Sequence, residues 1–231
     1  NHHELTITKD EYLEFFFKSF YYTEEPIAEP TIPALYFLAK YTSKHLKVVL
    51  AGQGADEPLG GYPRYIGEKY LSKYGSLFRY IPDKIISSAF PANEKLKRAF
   101  YAANFENNID RFLAIYTIIT PKLKKKLLNH DINLKLINRQ REIVEKLYNE
   151  TEFLDDSLSK LFYIDTRLSL SDSLLLFGDK ITMANGIEMR VPFLDNDLIR
   201  FLESIPSHYK IKLSKQKYLH KKAIKGWLPN K

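Results

Sequence analysis

The sequence predicts an α/β fold that is predominantly helical. Three observations carry this expectation. A short β-branched run, Lys47-Val48-Val49-Leu50-Ala51, passes straight into a loop that holds four of the chain's nine glycines. Beyond about Tyr80, apolar residues recur at three- and four-residue spacing. Finally, 231 residues with 45% apolar and 14% aromatic content suffice for a sizeable core, in one large domain or two small ones.

Along the chain, Thr8-Lys9-Asp10-Glu11 fits a capping box, which opens a short aromatic helix to about Phe20. Thr23 to Pro33 contains Pro26, Pro30 and Pro33 and reads as a rigid extended link. Pro33 suits a first helical turn, and Leu35, Leu38, Ala39 and Leu46 mark the buried face of the helix that follows. Lys47 to Ala51 then reads as a buried parallel strand. Ile109 to Ile119, Leu123 to Leu128, Arg139 to Tyr148 and Ser157 to Phe177 are helical stretches separated by Asn, Asp or Pro. One strand cannot make a sheet, so its partners are expected outside the chain or in segments without a strand signal.

The formal charge of +7 arises in one place. Lys210 to Lys231 holds eight lysines and no acid, while residues 1 to 209 hold 27 basic and 28 acidic groups. A near-neutral body with a basic tail argues against a nucleic-acid partner, which needs a basic face. Lys122, Lys124, Lys125 and Lys126 follow Pro121 at a spacing that a solvated helix face explains. Zero cysteines exclude disulfides, thiolate metal sites and a cysteine nucleophile within this chain. His2 and His3 are adjacent and lack a further ligand, so they read as solvent-exposed. The apolar runs are too short to span a bilayer, and no membrane is expected. Asn1-His2-His3-Glu4 carries no initiator Met, so the chain is expected to be a piece of a longer polypeptide.

The loop Gly52-Gln53-Gly54-Ala55-Asp56-Glu57-Pro58-Leu59-Gly60-Gly61-Tyr62 follows the strand at the point where open α/β sheets place a ligand crevice. Glycines admit close backbone approach, and their amides can face an anion or nucleotide. Asp56 and Glu57 suit a magnesium-bridged phosphate, although they equally suit the first turn of a helix, where they would meet its dipole. No Gly-Lys-Ser/Thr follows, and Glu57 stands where a dinucleotide fingerprint has its third glycine. Further on, Asp172 to Asp197 places Asp179, Lys180, Glu188 and Arg190 among apolar residues. Charges in such surroundings are paired or put to use; Asp179 with Arg190, or Lys180 with Glu188, would be the structural pairings.

Taken together, Val48-Val49-Leu50-Ala51-Gly52-x-Gly54-Ala55-Asp56-Glu57, Gly60-Gly61-Tyr62-x-Arg64-Tyr65, Asp179-Lys180-x-Thr182-Met183-Ala184 and Glu188-x-Arg190-Val191-Pro192-Phe193-Leu194-Asp195 resemble the synthetase domain of glutamine-hydrolysing asparagine synthetases. Glu25-Pro26, Ile205-Pro206, Lys217-Tyr218-Leu219 and Leu228-Pro229 fall in the same order. The resemblance implies part of a pyrophosphate-loop parallel-sheet fold, with a partial nucleotide-binding segment over 1–80 and a helical region over 81–231. It implies a cytoplasmic ligase that uses ATP and Mg²⁺. In that reaction the aspartate side-chain carboxylate becomes β-aspartyl-AMP, and ammonia from a separate glutaminase domain displaces AMP. Adenylation supplies the leaving group that a carboxylate lacks. Carried over residue by residue, Ala51, Gly52, Gln53 and Gly54 would lie against the nucleotide. Asp56 would hold magnesium, with Glu57 supporting that shell. Lys180 would lie near the phosphates, and Glu188 and Arg190 would shape or brace the site. Tyr62, Arg64 and Tyr65 would pack behind the loop. A homodimer is a further expectation.

The match departs at Gln53, where many family members have an acid proposed to accept a proton from ammonia; an amide can orient but cannot act as a base. The family's Ser-Gly-Gly-x-Asp-Ser loop and the glutaminase cysteine would lie upstream of Asn1, and a further family lysine beyond Lys231. The isolated chain is therefore expected to be inactive. Gln53 keeps open a related adenylate-forming ligase acting on another carboxylic acid, such as a β-lactam synthetase, a lasso-peptide cyclase or another amidotransferase. A noncatalytic interaction module is the reading from a different class.

Overall fold

The computed structural model describes residues 2–27, 29–78, 81, 83–89, 92–119, 121–128 and 130–228. In chain order it begins with α1 (Lys9–Thr23), α2 (Ile32–Thr42), β1 (Val48–Leu50), α3 (Asp56–Leu59) and α4 (Pro63–Phe78). Next come α5 (Asp83–Ala89), α6 (Glu94–Ala103), α7 (Asn108–Tyr116), α8 (Pro121–Leu127), α9 (His130–Asn149) and α10 (Ser157–Asp165). A π-helical stretch, Thr166–Leu175, leads into α11 (Leu176–Met183), β2 (Glu188–Arg190) and a 3₁₀ turn, Pro192–Leu194. The last elements are α12 (Asn196–Ser204), α13 (Ser207–Lys210) and α14 (Tyr218–Ala223). The protein is thus a mostly helical α/β chain with a small parallel sheet. No described helix is long and apolar enough to cross a membrane.

The chain forms two compact units, each built from two segments: residues 1–55 with 166–201, and residues 56–165 with 202–231. The expected change of pattern near residue 80 separates the strand-and-loop motif from the helical periodicity, whereas the units interleave along the chain. Tyr80 and Pro229 lie outside the described residues.

In the first unit, Thr8 caps α1 as its capping box requires. Its hydroxyl accepts from the Glu11 amide at 3.3 Å while the Thr8 amide donates to Glu11 Oε2 at 2.9 Å. The helix runs past Phe20 to Thr23, where Glu24 takes a left-handed conformation at φ 61°. Phe15, Ile32, Phe177 and Ile181 form the core, and Phe15 stacks on Tyr36 with ring centres 3.7 Å apart. The face expected of α2 needs correction. Ala39 is buried and Leu35 packs against the core, but Leu38 is exposed, because α2 turns Ile32, Pro33 and Ala39 inward, and Leu46 is exposed beyond the helix end at Thr42.

β1 pairs in parallel with β2, in register Val48↔Glu188, Val49↔Met189 and Leu50↔Arg190. The parallel geometry is as expected, but the burial is not. Leu50 is 74% exposed, because a sheet of two short strands leaves its faces uncovered. β2 carries no strand signal of its own, since two of its three residues are charged.

In the second unit, Leu71, Ala102, Ala103, Ala114 and Ile115 form a core closed by Tyr101, Phe105 and Tyr116. Small alanines on α6 and α7 let those helices approach closely. Two buried carboxylates tie further elements together. Glu68 on α4 accepts from Arg111 Nε at 3.0 Å and Nη2 at 2.9 Å, a two-pronged pair that fixes α7. Asp165 on α10 is fully buried and accepts from the Tyr65 hydroxyl at 2.6 Å, from Arg64 Nε at 3.0 Å and from the Tyr116 hydroxyl.

The basic tail is folded into this unit. Lys69 Nζ donates to the Ile211 carbonyl at 2.9 Å, Ile211 is fully buried, and Lys210 is only 2% exposed, with its ammonium 5.1 Å from the Phe162 ring centre. Lys221, Lys222 and Lys225 are exposed, as expected of a solvated face.

Candidate functional site

In the first unit, β1 delivers Ala51 at its end, where the Ala51 amide donates to the Arg190 carbonyl at 2.8 Å and prolongs the sheet register into the glycine loop. Gly52 is exposed, and a Cβ placed there would meet nothing within 4 Å. Gly54 differs: its φ of 79° is a conformation that side chains rarely adopt, and a Cβ would collide with Leu194. Gln53 turns inward beside α11. Gly178 makes that possible, since a Cβ there would stand 3.1 Å from Gln53 Oε1. That oxygen is buried and accepts no hydrogen bond among the described residues.

Lys180 does not join them. Its ammonium donates to the Thr23 carbonyl at 2.9 Å and to Glu24 Oε2 at 2.8 Å, tying α11 to the end of α1. The bond from Lys180 holds the Glu24 carboxyl below the usual carboxylate range. Glu188 and Arg190 lie on one face of β2 and pair with each other at 2.8 Å, both exposed. Neither pairing expected for Asp179, Lys180, Glu188 and Arg190 forms. Asp179 is exposed, and Glu24, which no sequence signal singled out, takes Lys180.

In the second unit, Asp56 and Glu57 open α3 and point to different environments. Asp56 Oδ1 lies 2.7 Å from Lys217 Nζ, both side chains being partly exposed. Gly61 allows this pair, because a Cβ there would fall on the Asp56 carboxylate. Lys217 itself sits in a left-handed conformation at φ 50°, a cost tolerated where a side chain must be aimed. Glu57 is 0% exposed. Its Oε1 accepts from the Tyr62 hydroxyl at 2.8 Å, and its Oε2 is without a partner among the described residues. Burial raises the Glu57 carboxyl above its ordinary value; the Tyr62 bond opposes this less strongly. Burial, followed by that bond, also raises the Tyr62 phenol.

Tyr62, Arg64 and Tyr65 pack as expected, but they do so around a charge. The Arg64 guanidinium lies 3.9 Å from the Tyr62 ring centre and 4.7 Å from that of Tyr116, and ion-pairs with Asp165 at 2.8 Å. Asp165 is the site-region residue that the sequence reading did not select. Asp165 carried a usable signal, a carboxylate directly beside Ile164 on the apolar face of a helix. Lys217 is part of the Lys217-Tyr218-Leu219 run of the resemblance, but nothing in the sequence marked it as the partner of Asp56.

The described residues do not by themselves assemble a full set of metal ligands. Among the described residues, no group of three or more His, Asp or Glu could hold a metal ion, Asp56 is neutralised by Lys217, and Glu57 is turned into the interior. The open space over Gly52 and the unpartnered Gln53 amide oxygen are what a ligand with close-lying polar groups would use.

A sequence model of the asparagine synthase family matches residues 1–231. Asparagine synthetase [glutamine-hydrolyzing] 1 of Bacillus subtilis (strain 168) is 31% identical over 225 residues, covering 96% of this chain and 35% of that protein. A putative asparagine synthetase [glutamine-hydrolyzing] of Mycobacterium tuberculosis (strain ATCC 25618 / H37Rv) is 27% identical over 229 residues, 96% of this chain and 34% of its own. The amidase chyE of Penicillium rubens is 24% identical over 213 residues, 79% of this chain and 30% of its own. The chain therefore spans about a third of the length of these relatives. No solved structure matches it at a significant level.

Proposed function

Because the chain belongs to the asparagine synthase family, we propose that it is the synthetase part of an asparagine synthase that uses glutamine as nitrogen donor, within a pyrophosphate-loop fold completed by the rest of that protein. The observation that carries this reading is the family match along the whole chain, which includes the glycine-acid loop. Ala51, Gly52, Gln53 and Gly54 are the backbone against which ATP lies; the open space at Gly52 supports a close approach there. The aspartate carboxylate takes the adenylyl group of ATP with release of pyrophosphate, and ammonia from a glutaminase domain then displaces AMP from the acyl carbon to give the amide.

Each side chain has a role limited by its own chemistry. Gln53 can donate and accept hydrogen bonds but cannot take a proton, so its role is to hold the acyl group in line for attack. Glu57, buried and raised, supports the loop through Tyr62 and does not serve as an exposed base. Asp56 and Lys217 form a pair whose cation adds positive potential beside the loop. Lys180 fixes α11 against α1, and Glu188 with Arg190 brace the strand end next to Ala51. Magnesium remains part of the family chemistry, and its ligands in the complete protein would have to include groups beyond these.

The test is ATP–pyrophosphate exchange by the full-length polypeptide with aspartate and with other carboxylic acids. Exchange that depends on aspartate is expected. Exchange with another acid alone would instead favour a related ligase, a reading that Gln53 motivates, and no exchange with any acid would favour a noncatalytic module.

A further inference from the structure

The second unit contains a cavity of about 400 Å³, a size common among small-molecule sites. Its walls are largely hydrocarbon and aromatic, with Ile115 and the rings of Tyr62 and Tyr116 at its sides and Ile118 at its rim. Ile118 is 84% exposed, an apolar side chain left facing water beside an apolar hollow. The hydroxyls of Tyr62 and Tyr116 donate to Glu57 and Asp165, so neither is free to donate to a ligand.

Among the described residues, the charged groups of the lining are two guanidiniums, Arg64 and Arg98, and no acidic residue lines the cavity. Asp165 balances Arg64 from outside the lining; Arg64 Nη2 stands 2.8 Å from that carboxylate but off the line a hydrogen bond needs, leaving it unbonded among the described residues. Arg98 is half-buried, and among the described residues no ion pair or hydrogen bond engages it. A cation partly withdrawn from water beside hydrocarbon calls for an anion, and a guanidinium pairs best with a planar two-oxygen acceptor.

We propose that this cavity binds a small amphipathic carboxylate, its hydrocarbon or aromatic body against Ile115, Ile118 and the two tyrosine rings and its carboxylate on Arg98. One guanidinium unpaired among the described residues suits a single negative charge better than a phosphate dianion, which would demand several more donors. Because Tyr62 forms one wall and also holds Glu57, an occupant stiffens the segment that carries the glycine-acid loop. The proposal does not depend on which acid the ligase activates.

The experiment is equilibrium binding to the full-length polypeptide, with phenylacetate and octanoate as probes and phenylacetamide and octanamide as neutral matches. Carboxylates are expected to bind at least roughly tenfold more tightly than their amides, as a charge-assisted bond implies. Arg98→Leu keeps the hydrocarbon lining and is expected to remove that preference. Ile118→Asp, on an exposed rim position, is expected to abolish carboxylate binding without unfolding the protein, and it decides the matter if Arg98→Leu does not fold. Equal binding of acid and amide, unchanged binding in a folded Arg98→Leu, unchanged binding in Ile118→Asp, or no binding by natively folded protein would each overturn the proposal. ATP–pyrophosphate exchange run in parallel reports on the ligase reading, whose failure leaves this binding result intact.

Discussion

Gly52 and Gly54 sit two residues apart and are glycine for opposite reasons. At Gly54 the backbone demands it, because φ is 79° and Leu194 fills the space a side chain would need. At Gly52 the fold demands nothing, since a Cβ there meets only open space. Gly54→Ala is therefore expected to destabilise the protein by about 1–2 kcal/mol from the left-handed conformation alone, and by more from the clash, seen as a lower melting temperature. Gly52→Ala is expected to leave the melting temperature unchanged while raising the KM for ATP in pyrophosphate exchange. An unchanged KM would remove the nucleotide from that position. The sequence alone presents these two residues as equivalent members of a glycine motif. What separates them is the neighbour 140 residues later, Leu194, which no local pattern discloses.

Among the elements, those set by local chemistry are the ones that were legible. The Thr8 and Glu11 capping box fixes the start of α1, and the proline-rich link does end in a helix whose first turn contains Pro33. β2 was not legible, because a three-residue strand with charged ends has no alternation to detect; its conformation comes from pairing with β1. The run from Ser157 to Phe177 reads as one helix, yet widens into a π-helical stretch from Thr166, a register change that three- and four-residue spacing does not resolve. Asp165 closes α10 just before that change and joins it to α4 and α7 through Arg64, Tyr65 and Tyr116. Asp165→Asn keeps the shape but leaves Arg64 without its counter-charge. A loss on the order of 3–5 kcal/mol is expected, read as a fall in melting temperature or soluble yield, against about 1 kcal/mol for Tyr116→Phe. Similar losses in the two variants would show that the hydrogen bonds matter and the ion pair does not.

Taken as a whole, the molecule changes the meaning of its own charge. Composition presents the last residues as a basic tail, whereas Lys210 and Ile211 are buried and Lys217 neutralises Asp56. Burial pushes the Lys210 ammonium down to about 8, with Glu203 and Asp156 opposing this more weakly. From that value up to its ordinary one near 10.5, the unfolded chain holds the proton more firmly than the folded chain, so Lys210 makes stability rise with pH across this window. The difference in melting temperature between Lys210→Met and the parent should therefore be largest, in favour of the variant, below about pH 8, and should shrink towards pH 10. A difference that does not vary with pH would mean that the ammonium is not desolvated in solution.

The two-segment make-up of each unit also sets an order of events during synthesis. On the ribosome, residues 1–55 emerge well before residues 166–201 and cannot complete their unit until then, because β2, α11 and the core residues Phe177 and Ile181 belong to the later segment. The intervening residues 56–165 emerge while β1 still presents an unpaired edge, and they in turn wait for Lys210, Ile211 and Lys217. Each half-made unit is thus an exposed intermediate whose lifetime is set by the rate of translation. A nascent chain stalled near residue 160 would hold β1 without β2, and Phe15 and Ile32 without Phe177 and Ile181.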